Sequence, residues 1–169
     1  MKLLIVSDSH GSTEILQELA TLYSDSVDAM IHCGDSELTA DNPIIADFLT
    51  VRGNCDIDAR FPDILVKEIT GVNIFVTHGH LFNVKMSLMN LNYKAKENEA
   101  QLVFFGHSHT LGAEMMEGTL FLNPGSILLP RGRREKTYAL VEVENSKVIV
   151  RFLDENHKEL VDLSATFSL

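Results

Sequence analysis

The apolar positions in the first half of the chain fall in short continuous runs that polar loops separate. A run of about four to eight apolar residues is typical of a strand that is buried on both faces of a sheet. We predict strands of this kind at Lys2–Ser7, Ala29–His32 and Leu102–Phe105, and a further strand that begins at Thr50–Arg52. Both faces of these strands are therefore expected to be covered.

Helical periodicity separates several of these runs. After Ser12, apolar residues recur with a spacing of about 3.6 residues, which predicts a helix. Its apolar face would contain Ile15, Leu16, Leu19, Ala20, Leu22 and Tyr23. Further helices are predicted at Ile44–Leu49 and Ser87–Ala100. Strands that alternate with helices indicate βαβ units, so the early part of the chain is predicted to form a parallel sheet.

Later segments have the pattern of antiparallel hairpins, in which two apolar runs flank a short turn. Gly71 separates the first pair of runs, and the sequences Glu117-Gly118 and Asn145-Ser146 separate two others. The paired segments are Ile64–Thr70 with Val72–Thr77, the two halves of Met115–Leu122, and Tyr138–Val143 with Val148–Leu153. Helices are therefore expected to dominate early and hairpins late.

Composition and charge narrow the class of protein. Of the 169 residues, 45% are hydrophobic and the net charge is −10, which describes one globular domain covering residues 1–169. The run Leu3–Val6 is too short for a signal peptide or a membrane span, and only Cys33 and Cys55 could form a disulfide. We therefore expect a cytoplasmic location and no membrane partner. The acidic balance disfavours nucleic-acid binding, although bound cations allow an acidic protein to handle phosphates.

Potential metal ligands follow nearly every predicted strand, and glycines adjoin most of them. In open α/β sheets, ligands bind beyond the carboxyl ends of the strands, so these loops are expected to converge. Glycine permits the close backbone approach that such loops need. The candidate ligands are Asp8, His10, Asp35, Asn54, His78, His107 and His109.

The types of these side chains restrict the metal. Carboxylate, imidazole and carboxamide groups without a pair of thiolates suit Mn²⁺, Fe²⁺, Zn²⁺, Co²⁺ or Ni²⁺ better than Ca²⁺ or an iron–sulfur cluster. Seven ligands are too many for one catalytic zinc, whereas two ions about 3.5–4 Å apart can share a carboxylate and divide the other residues. The set therefore favours a hydrolase with two divalent ions.

Five ordered motifs carry a family resemblance, which extends from the first strand to about Gly132. The motifs are DSHG at 8–11, GDSE at 34–37, GNCD at 53–56, HGH at 78–80 and GHSHT at 106–110. With these motifs the chain resembles the calcineurin-like metallophosphoesterases, and its short length and the NPGS run at 123–126 are similar to the small YfcE-type phosphodiesterases of bacteria and archaea.

This resemblance implies a fold and a set of ligands. The fold would be an α/β, four-layer α/β/β/α sandwich in which two packed mixed or antiparallel sheets are flanked by helices, with the metal site at the carboxyl ends of the strands. One ion would be bound by Asp8, His10 and His109, and the other by Asn54, His78 and His107. Asp35 would bridge the two ions, for which Mn²⁺ is the family expectation.

The resemblance also implies a reaction, in which a hydroxide that bridges the two ions attacks phosphorus in line. Asp35, Asn54 and Cys55 are the residues expected to take part in catalysis. Many members of the superfamily have His at the position of Cys55, and a thiol with an unperturbed pKa of about 8.5 is a poorer proton donor. We therefore expect a preference for substrates with good leaving groups.

Several other residues have two interpretations. His32 is more plausibly a core residue than a ligand, whereas His80 could either contact phosphate or brace His78. His157 is expected to be solvated in a polar tail. Asn123, Gly125 and Ser126 could brace a ligand or simply close a turn. Arg131, Arg133 and Arg134 could grip a phosphate substituent, although a run of charges is more often a solvated face.

The sequence thus predicts a metal-dependent phosphoesterase, and more specifically a phosphodiesterase, that hydrolyses a small phosphate ester. The alternative is a metal-binding scaffold of the same fold that acts through its surface, as does a subunit of the retromer complex that resembles it. A nuclease would share the chemistry but needs a basic groove, which a net charge of −10 disfavours. The sequence leaves the oligomeric state open.

Overall fold

Two β-sheets packed against each other form the centre of the molecule. The structure is a computed structural model and describes residues 1–169. The first sheet has the order β11-β10-β9-β1-β2-β3, and the second has the order β4-β5-β6-β8-β7. The strands of the first sheet are β1 (Lys2–Val6), β2 (Ala29–His32), β3 (Phe48–Thr50), β9 (Thr137–Glu144), β10 (Lys147–Asp154) and β11 (Ala165–Ser168). Those of the second are β4 (Ile64–Ile69), β5 (Val72–Thr77), β6 (Leu102–Phe104), β7 (Gly112–Met116) and β8 (Thr119–Asn123).

Each sheet combines parallel strands with antiparallel ones. In the first sheet β1, β2 and β3 are parallel, and β9, β10 and β11 are antiparallel additions beside β1. In the second sheet β5, β6 and β8 are parallel, and β4 and β7 are antiparallel at the two edges. The predicted metal ligands lie in the loops that follow these parallel strands.

Alternating side chains on the central strands explain the layers. Leu3 and Ile5 of β1 point into the core between the sheets, whereas Leu4 and Val6 pack with the helix α1 (Thr13–Tyr23) on the other face. In β6, Leu102 and Phe104 face the core between the sheets. This arrangement follows from the period of two in a strand.

The outer face of the second sheet is covered by the helix α2 (Met89–Glu97). Its buried residues Leu91 and Ala95 pack with Val103 of β6 and with Phe75 and Phe121 of the neighbouring strands. The order of layers is therefore helix, sheet, sheet, helix, which confirms the predicted four-layer α/β/β/α sandwich. Neither helix is long and apolar enough to cross a membrane.

Three hairpins occur at the predicted turns, and each has a two-residue loop with positive φ at both positions. The φ values are 47° and 81° at Thr70-Gly71, 51° and 88° at Glu117-Gly118, and 50° and 62° at Asn145-Ser146. This backbone geometry is that of a type I′ turn, whose twist matches that of the flanking strands.

The prediction for residues 44–52 was wrong in detail. Only Ile45–Asp47 form a helical turn, of the 3₁₀ type, and the strand begins at Phe48 instead of Thr50. Phe48 pairs with Met30 in parallel register, and its side chain is buried in the cluster beneath α1. Tertiary burial of Phe48 therefore overrides the helical pattern.

Two further predictions differ from the structure, namely the length of α2 and the absence of β11 from the predicted strands. The helix predicted at Ser87–Ala100 is shorter, because the Ser87 hydroxyl accepts a hydrogen bond from the Met89 N–H at its start and the Asn98 side chain donates to the Lys94 carbonyl at its end. The edge strand β11 was not predicted. Two further 3₁₀ turns lie at His80–Phe82 and Val161–Leu163.

His157 is not a solvated residue of a loose tail, which corrects the prediction. Its Nδ1 lies 3.0 Å from the Tyr138 hydroxyl, and its Nε2 lies 3.0 Å from a carboxylate oxygen of Glu18 on α1. The Tyr138 hydroxyl also contacts that of Tyr23 at 2.8 Å. His157 therefore connects the segment after β10 to α1.

Candidate metal centre

Loops from both sheets meet at the carboxyl ends of the parallel strands. The Asp8 N–H donates to the Gly34 carbonyl at 3.0 Å, and the His10 N–H donates to the Asp35 carbonyl at 3.0 Å. The loop after β6 is joined to the loop after β5 in the same way, since the Gly106 N–H donates to the His78 carbonyl at 3.1 Å. Backbone hydrogen bonds therefore fix the positions of the candidate ligands.

Five of the seven predicted ligands form tight groups. Metal-binding atoms of Asp8, His10 and His109 lie within 4.8 Å of one another, and the same holds for Asp8, Asp35 and His78. His109 Nε2 is 3.1 Å from Asp8 Oδ1, and His78 Nε2 is 3.2 Å from Asp35 Oδ2. The two carboxylates therefore lie at the centre of the cluster, with the imidazoles around them.

The other two predicted ligands lie beside this cluster. The His107 ring is half-buried, and its centroid is 5.1 Å from that of His78. Asn54 is exposed and its side-chain amide donates to the Cys55 sulfur at 3.3 Å. The Cys55 N–H in turn donates to Asp35 Oδ1 at 2.7 Å, which keeps Asn54 next to the central carboxylates.

Hydrogen bonds on the outer side of three imidazoles orient the inner nitrogen. Nδ1 of His78 lies 2.7 Å from the Cys33 carbonyl, and Nδ1 of His109 lies 2.6 Å from the Leu129 carbonyl. A carbonyl only accepts, so each Nδ1 carries a proton, and Nε2 is the nitrogen that the neutral ring would present to a metal ion. In His10, Nδ1 is 2.7 Å from a carboxylate oxygen of Glu37. This is the usual arrangement of histidines that bind metals.

The cluster fits divalent metal ions, because it contains buried polar atoms that the protein leaves without hydrogen-bond partners. His10 Nε2 is buried and has no such partner, and Asp8 Oδ1, although 3.1 Å from His109 Nε2, makes no well-aligned hydrogen bond. A buried polar atom without a partner costs free energy, and a metal ion bound to it removes that cost. Carboxylate and imidazole donors together also suit the transition metals expected from the sequence.

The surroundings of Asp35, His78 and His107 shift the pKa of each of these groups. Burial raises the pKa of Asp35, but its contacts with His78 and the Cys55 N–H outweigh burial and hold the pKa well below its usual value. Burial lowers the pKa of His78, but the neighbouring carboxylates of Asp35 and Asp8 outweigh it and shift the pKa upward. Burial and the charge of His78 lower the pKa of His107 to about 4, so the ring of His107 is neutral near neutral pH.

Cys55 joins the site through its thiol. Its sulfur lies in one group with His10 and Asp35, whose metal-binding atoms are within 4.8 Å of it and of each other. Burial and the adjacent carboxylate of Asp35 raise the pKa of Cys55 to about 11, so the thiol stays protonated at neutral pH. A protonated thiol beside the cluster can donate a hydrogen bond but is a weak acid.

The backbone of the site is strained. Five of the seven predicted ligands have positive φ, namely Asp8 (56°), His10 (42°), Asp35 (54°), His107 (66°) and His109 (59°). Residues other than glycine seldom adopt this conformation, and it persists where the surroundings impose it, often at functional sites.

One residue of the GNCD motif has a role that the sequence did not reveal. The buried carboxylate of Asp56 accepts the N–H groups of Asp35 (2.8 Å), Glu37 (2.6 Å) and Gly53 (2.7 Å), and the Ser36 hydroxyl (3.0 Å). Asp56 therefore joins the loop after β2 to the loop after β3. Its place in the same motif as Asn54 was the available signal.

The NPGS run braces two of the ligand loops, in agreement with one of its two interpretations. The Ser126 hydroxyl donates to the Asp8 carbonyl at 2.8 Å. The Asn123 side-chain amide donates to the Gly106 carbonyl at 2.9 Å and to the Ser108 hydroxyl at 3.0 Å. His32 is fully buried and its Nε2 contacts the Ser9 hydroxyl at 2.9 Å, as expected for a core residue.

The fold and this cluster describe a metal-binding α/β sandwich, and comparison with known sequences gives its family. The model of the calcineurin-like phosphoesterase superfamily domain matches residues 1–146, and the chain belongs to this superfamily. A Bacillus subtilis (strain 168) protein named probable metallophosphoesterase YsnB is 46% identical over 169 residues, which cover 100% of both chains. The phosphodiesterase YfcE of Escherichia coli (strain K12) is 26% identical, with 88% of this chain and 91% of YfcE covered.

Solved structures show the same fold. A Streptococcus pneumoniae TIGR4 protein described as a predicted phosphoesterase superposes with a TM-score of 0.96 and 42% identity, covering 99% of this chain and 97% of that one. Vps29 of Entamoeba histolytica, solved in complex with Zn²⁺, superposes with a TM-score of 0.73 at 20% identity, covering 100% of this chain and 98% of Vps29. The first is similar in sequence as well as fold, whereas the second shows the fold alone.

Proposed function

We propose that this phosphoesterase is a phosphodiesterase that hydrolyses a small phosphate ester with two divalent metal ions. The observation that carries the proposal is the buried group of Asp8, Asp35 and His78, which adjoins the group of Asp8, His10 and His109. Asp35 lies in one group with His78 and in another with His10 and Cys55, so its carboxylate adjoins ligands proposed for both ions, as a shared carboxylate would. The name of YfcE, a phosphodiesterase similar over most of its length, supports the choice of diesters.

The ligands are assigned on the basis of the motifs and the positions of the loops. We assign Asp8, His10 and His109 to one ion, Asn54, His78 and His107 to the other, and Asp35 to both. Asp8 also lies within reach of the group that contains His78, since His78 Nε2 is 4.0 Å from Asp8 Oδ1. We expect Mn²⁺, with Ni²⁺, Co²⁺, Fe²⁺ and Zn²⁺ as alternatives of suitable ligand preference.

When bound, the two ions would polarise the phosphoryl oxygens and acidify a water molecule for in-line attack on phosphorus. The protein supplies the arrangement that this chemistry needs. Asp35 stays anionic because its pKa is held low, and the neutral ring of His107 keeps a lone pair available. The backbone hydrogen bonds between the loops hold these groups in place before substrate binds.

The proposed site is poorly suited to protonate the leaving group. Cys55 stands beside Asp35 and is the nearest candidate donor, but a protonated thiol transfers a proton less readily than an imidazolium. We therefore propose that substrates with acidic leaving groups react fastest. Replacement of Cys55 by Ala should accordingly reduce the hydrolysis of nitrophenyl esters by only a few-fold.

The proposal is tested with chelator-stripped protein and two chromogenic esters, bis(p-nitrophenyl) phosphate and p-nitrophenyl phosphate. Hydrolysis that requires added Mn²⁺ and is faster for the diester is the expected result. Asp35→Asn should lower both metal content and hydrolysis by about a hundredfold or more, because one lost carboxylate weakens both ions.

A control variant and a negative outcome complete this test. Asp162→Asn changes an exposed carboxylate outside the cluster and should leave hydrolysis unchanged. If no metal among Mn²⁺, Ni²⁺, Co²⁺ and Zn²⁺ supports turnover although binding is measured, a metal-binding scaffold becomes the better description.

A further inference from the structure

A groove of about 590 Å³ opens beside the candidate metal centre. Ser108, which lies between His107 and His109 in the chain, is part of its lining. Its walls come from the segment just before α2, from the hairpin β7–β8, and from the loop that contains Arg131. The groove thus begins at the loop of two proposed metal ligands, where a part of the substrate beyond the scissile phosphate would lie.

Strand register gives the groove a direction. Gly112 of β7 pairs with Asn123 of β8, whose side chain contacts Ser108. Glu114 pairs with Phe121, two residues farther along both strands. Because a strand rises about 3.3 Å per residue, Glu114 and Phe121 lie about 7 Å farther from the metal centre than Gly112 and Asn123.

Two cations lie at the end near the metal centre. The Arg131 N–H donates to the His109 carbonyl at 3.1 Å, which places Arg131 next to that loop. The Val84 N–H donates to the Gly79 carbonyl at 3.5 Å, so the segment that contains Lys85 lies against the loop of His78, and Lys85 lines the groove together with Ser108. Neither Lys85 nor Arg131 forms an ion pair within 4.0 Å, and both are exposed.

Between these cations and Glu114, the lining of the groove combines polar and apolar residues. Phe105 and Phe121 are the aromatic residues of its lining, and Val84 and Leu88 lie on the wall contributed by the segment before α2. Glu114 is the single carboxylate among the lining residues, and it lies at the far end. A ligand in this groove therefore meets two positive charges first and a mixed surface with apolar parts next.

The cavity beside Cys55 has the reverse charge. A second cavity, of about 460 Å³, is lined by Glu37, Cys55 and Asp58 among others. The one cation there, Arg60, is neutralised by ion pairs with Asp58 at 2.6 Å and Asp41 at 2.5 Å. The two arms of a diester therefore meet different electrostatic surroundings, and an anionic arm is favoured on the side of Lys85 and Arg131.

We infer that this groove binds an arm of the phosphodiester that combines a planar or apolar group with a second anionic group, and that Lys85 and Arg131 determine this specificity. The inference rests on the proposed function, because it assigns the substrate class of the same site. In a protein of net charge −10, the place of Lys85 and Arg131 together on one groove beside the proposed metal centre suits the recognition of an anion. The chemical class is that of a nucleotide-like diester with an additional phosphate or carboxylate.

The test uses two diesters that differ by one anion. Thymidine 5′-(p-nitrophenyl phosphate) has only the scissile phosphate, and its 3′-phosphorylated counterpart has the same planar base and a second phosphate. With Mn²⁺-loaded protein, kcat/KM should be about tenfold higher for the 3′-phosphorylated ester, and this preference should shrink as salt is added. The double variant Lys85→Met and Arg131→Met should lower the ratio to about one, because kcat/KM for the 3′-phosphorylated ester falls much more than kcat/KM for the plain ester.

Matched controls separate the groove from general charge effects. Arg134→Met removes another exposed cation that forms no ion pair and does not line the groove, so the ratio should stay as in the unmodified protein. An unmodified protein with no preference for the second phosphate would overturn the inference. A preference that survives the loss of both Lys85 and Arg131 would do so as well.

A binding measurement distinguishes failure of this inference from failure of the proposed function. By calorimetry on the Mn²⁺-loaded protein, thymidine 3′,5′-bisphosphate should bind about tenfold more tightly than thymidine 5′-monophosphate, and the double variant should lose the difference. If neither diester is hydrolysed but this difference is found, the anion site stands and the phosphodiesterase proposal falls. If hydrolysis occurs but both nucleotides bind equally, the specificity inference falls alone.

Discussion

At the scale of single residues, the geometry of the site depends on the groups that orient the proposed ligands by hydrogen bonds as much as on the ligands themselves. Outer hydrogen bonds to the carbonyls of Cys33 and Leu129 set the tautomers of His78 and His109. The Asp56 carboxylate accepts four hydrogen bonds and is buried. A carboxylate is suited to this position because it only accepts, and four donors converge on it.

Asp56→Asn is the variant that tests this bracing role. The amide group would direct N–H donors at groups that are themselves donors, so about two of the four hydrogen bonds would be lost. We expect the free energy of unfolding to fall by about 2–3 kcal/mol, measured by urea denaturation of the metal-free protein. Metal affinity should fall as well, because the Asp35 loop would lose its support.

Asp63→Asn provides the control for this prediction. Asp63 forms a partly exposed ion pair with Arg52 at 2.8 Å, and pairs of this kind contribute less than about 1 kcal/mol. If both variants changed stability and metal affinity equally, Asp56 would have no special role in the site.

The sequence could identify the ligands but not these supports. Asp8, His78 and His107 lie within three residues of the ends of buried strands, and the carboxyl ends of parallel strands meet at one edge. Asp56 acts on donors at positions 35–37, about twenty residues away, so its role depends on how two loops pack. Arg131, Arg133 and Arg134 were all open to two interpretations in the sequence, and only the packing of the loops shows that Arg131 is the one of the three that lines the groove.

At the scale of elements, local turn geometry was predictable and strand position was not always so. The hairpins at Gly71 and Gly118 follow from their turn sequences and flanking apolar runs. The start of β3 at Phe48 depends on pairing with Met30 and on burial beneath α1, which periodicity over so few residues does not reveal. The half-exposed edge strand β11 has too weak an apolar pattern to stand out.

Thr70→Asn tests the energetics of one hairpin. Thr70 is an exposed β-branched residue with a φ of 47°, a conformation that β-branched residues disfavour and Asn tolerates. We expect the free energy of unfolding to rise by about 0.5–1 kcal/mol in urea denaturation. Hydrolysis should be unchanged, because this turn lies at the opposite end of β5 from His78.

Gly71→Ala should have the opposite effect on the same turn. A Cβ atom at Gly71 would meet no atom within 4 Å, so only the backbone preference at a φ of 81° opposes the change. A loss of about 1 kcal/mol is expected. If both variants were neutral, the turn conformation would contribute little to stability.

At the scale of the whole molecule, the metal centre joins the two sheets of the sandwich. Asp8 and Asp35 follow strands of the first sheet, whereas His78 and His109 follow strands of the second. Without bound cations, the carboxylates of Asp8 and Asp35 lie close together at the centre of the cluster and repel each other, in a protein whose net charge is −10. Ions bound there offset this repulsion and connect the sheets at one edge, so metal binding is expected to stabilise the entire fold.

This coupling predicts a metal-dependent melting temperature. At a Mn²⁺ concentration about a hundredfold above the dissociation constant, binding to the folded state adds about 2.7 kcal/mol, which raises Tm by about 5–10 °C for a chain of this size. Differential scanning calorimetry of chelator-stripped protein with and without Mn²⁺ measures the shift. In Asp35→Asn the shift should be largely lost, whereas Asp162→Asn, which changes an exposed carboxylate, should retain it. An equal shift in all three proteins would mean that Mn²⁺ acts through diffuse charge screening, and the stabilisation could not then be attributed to a centre between the sheets.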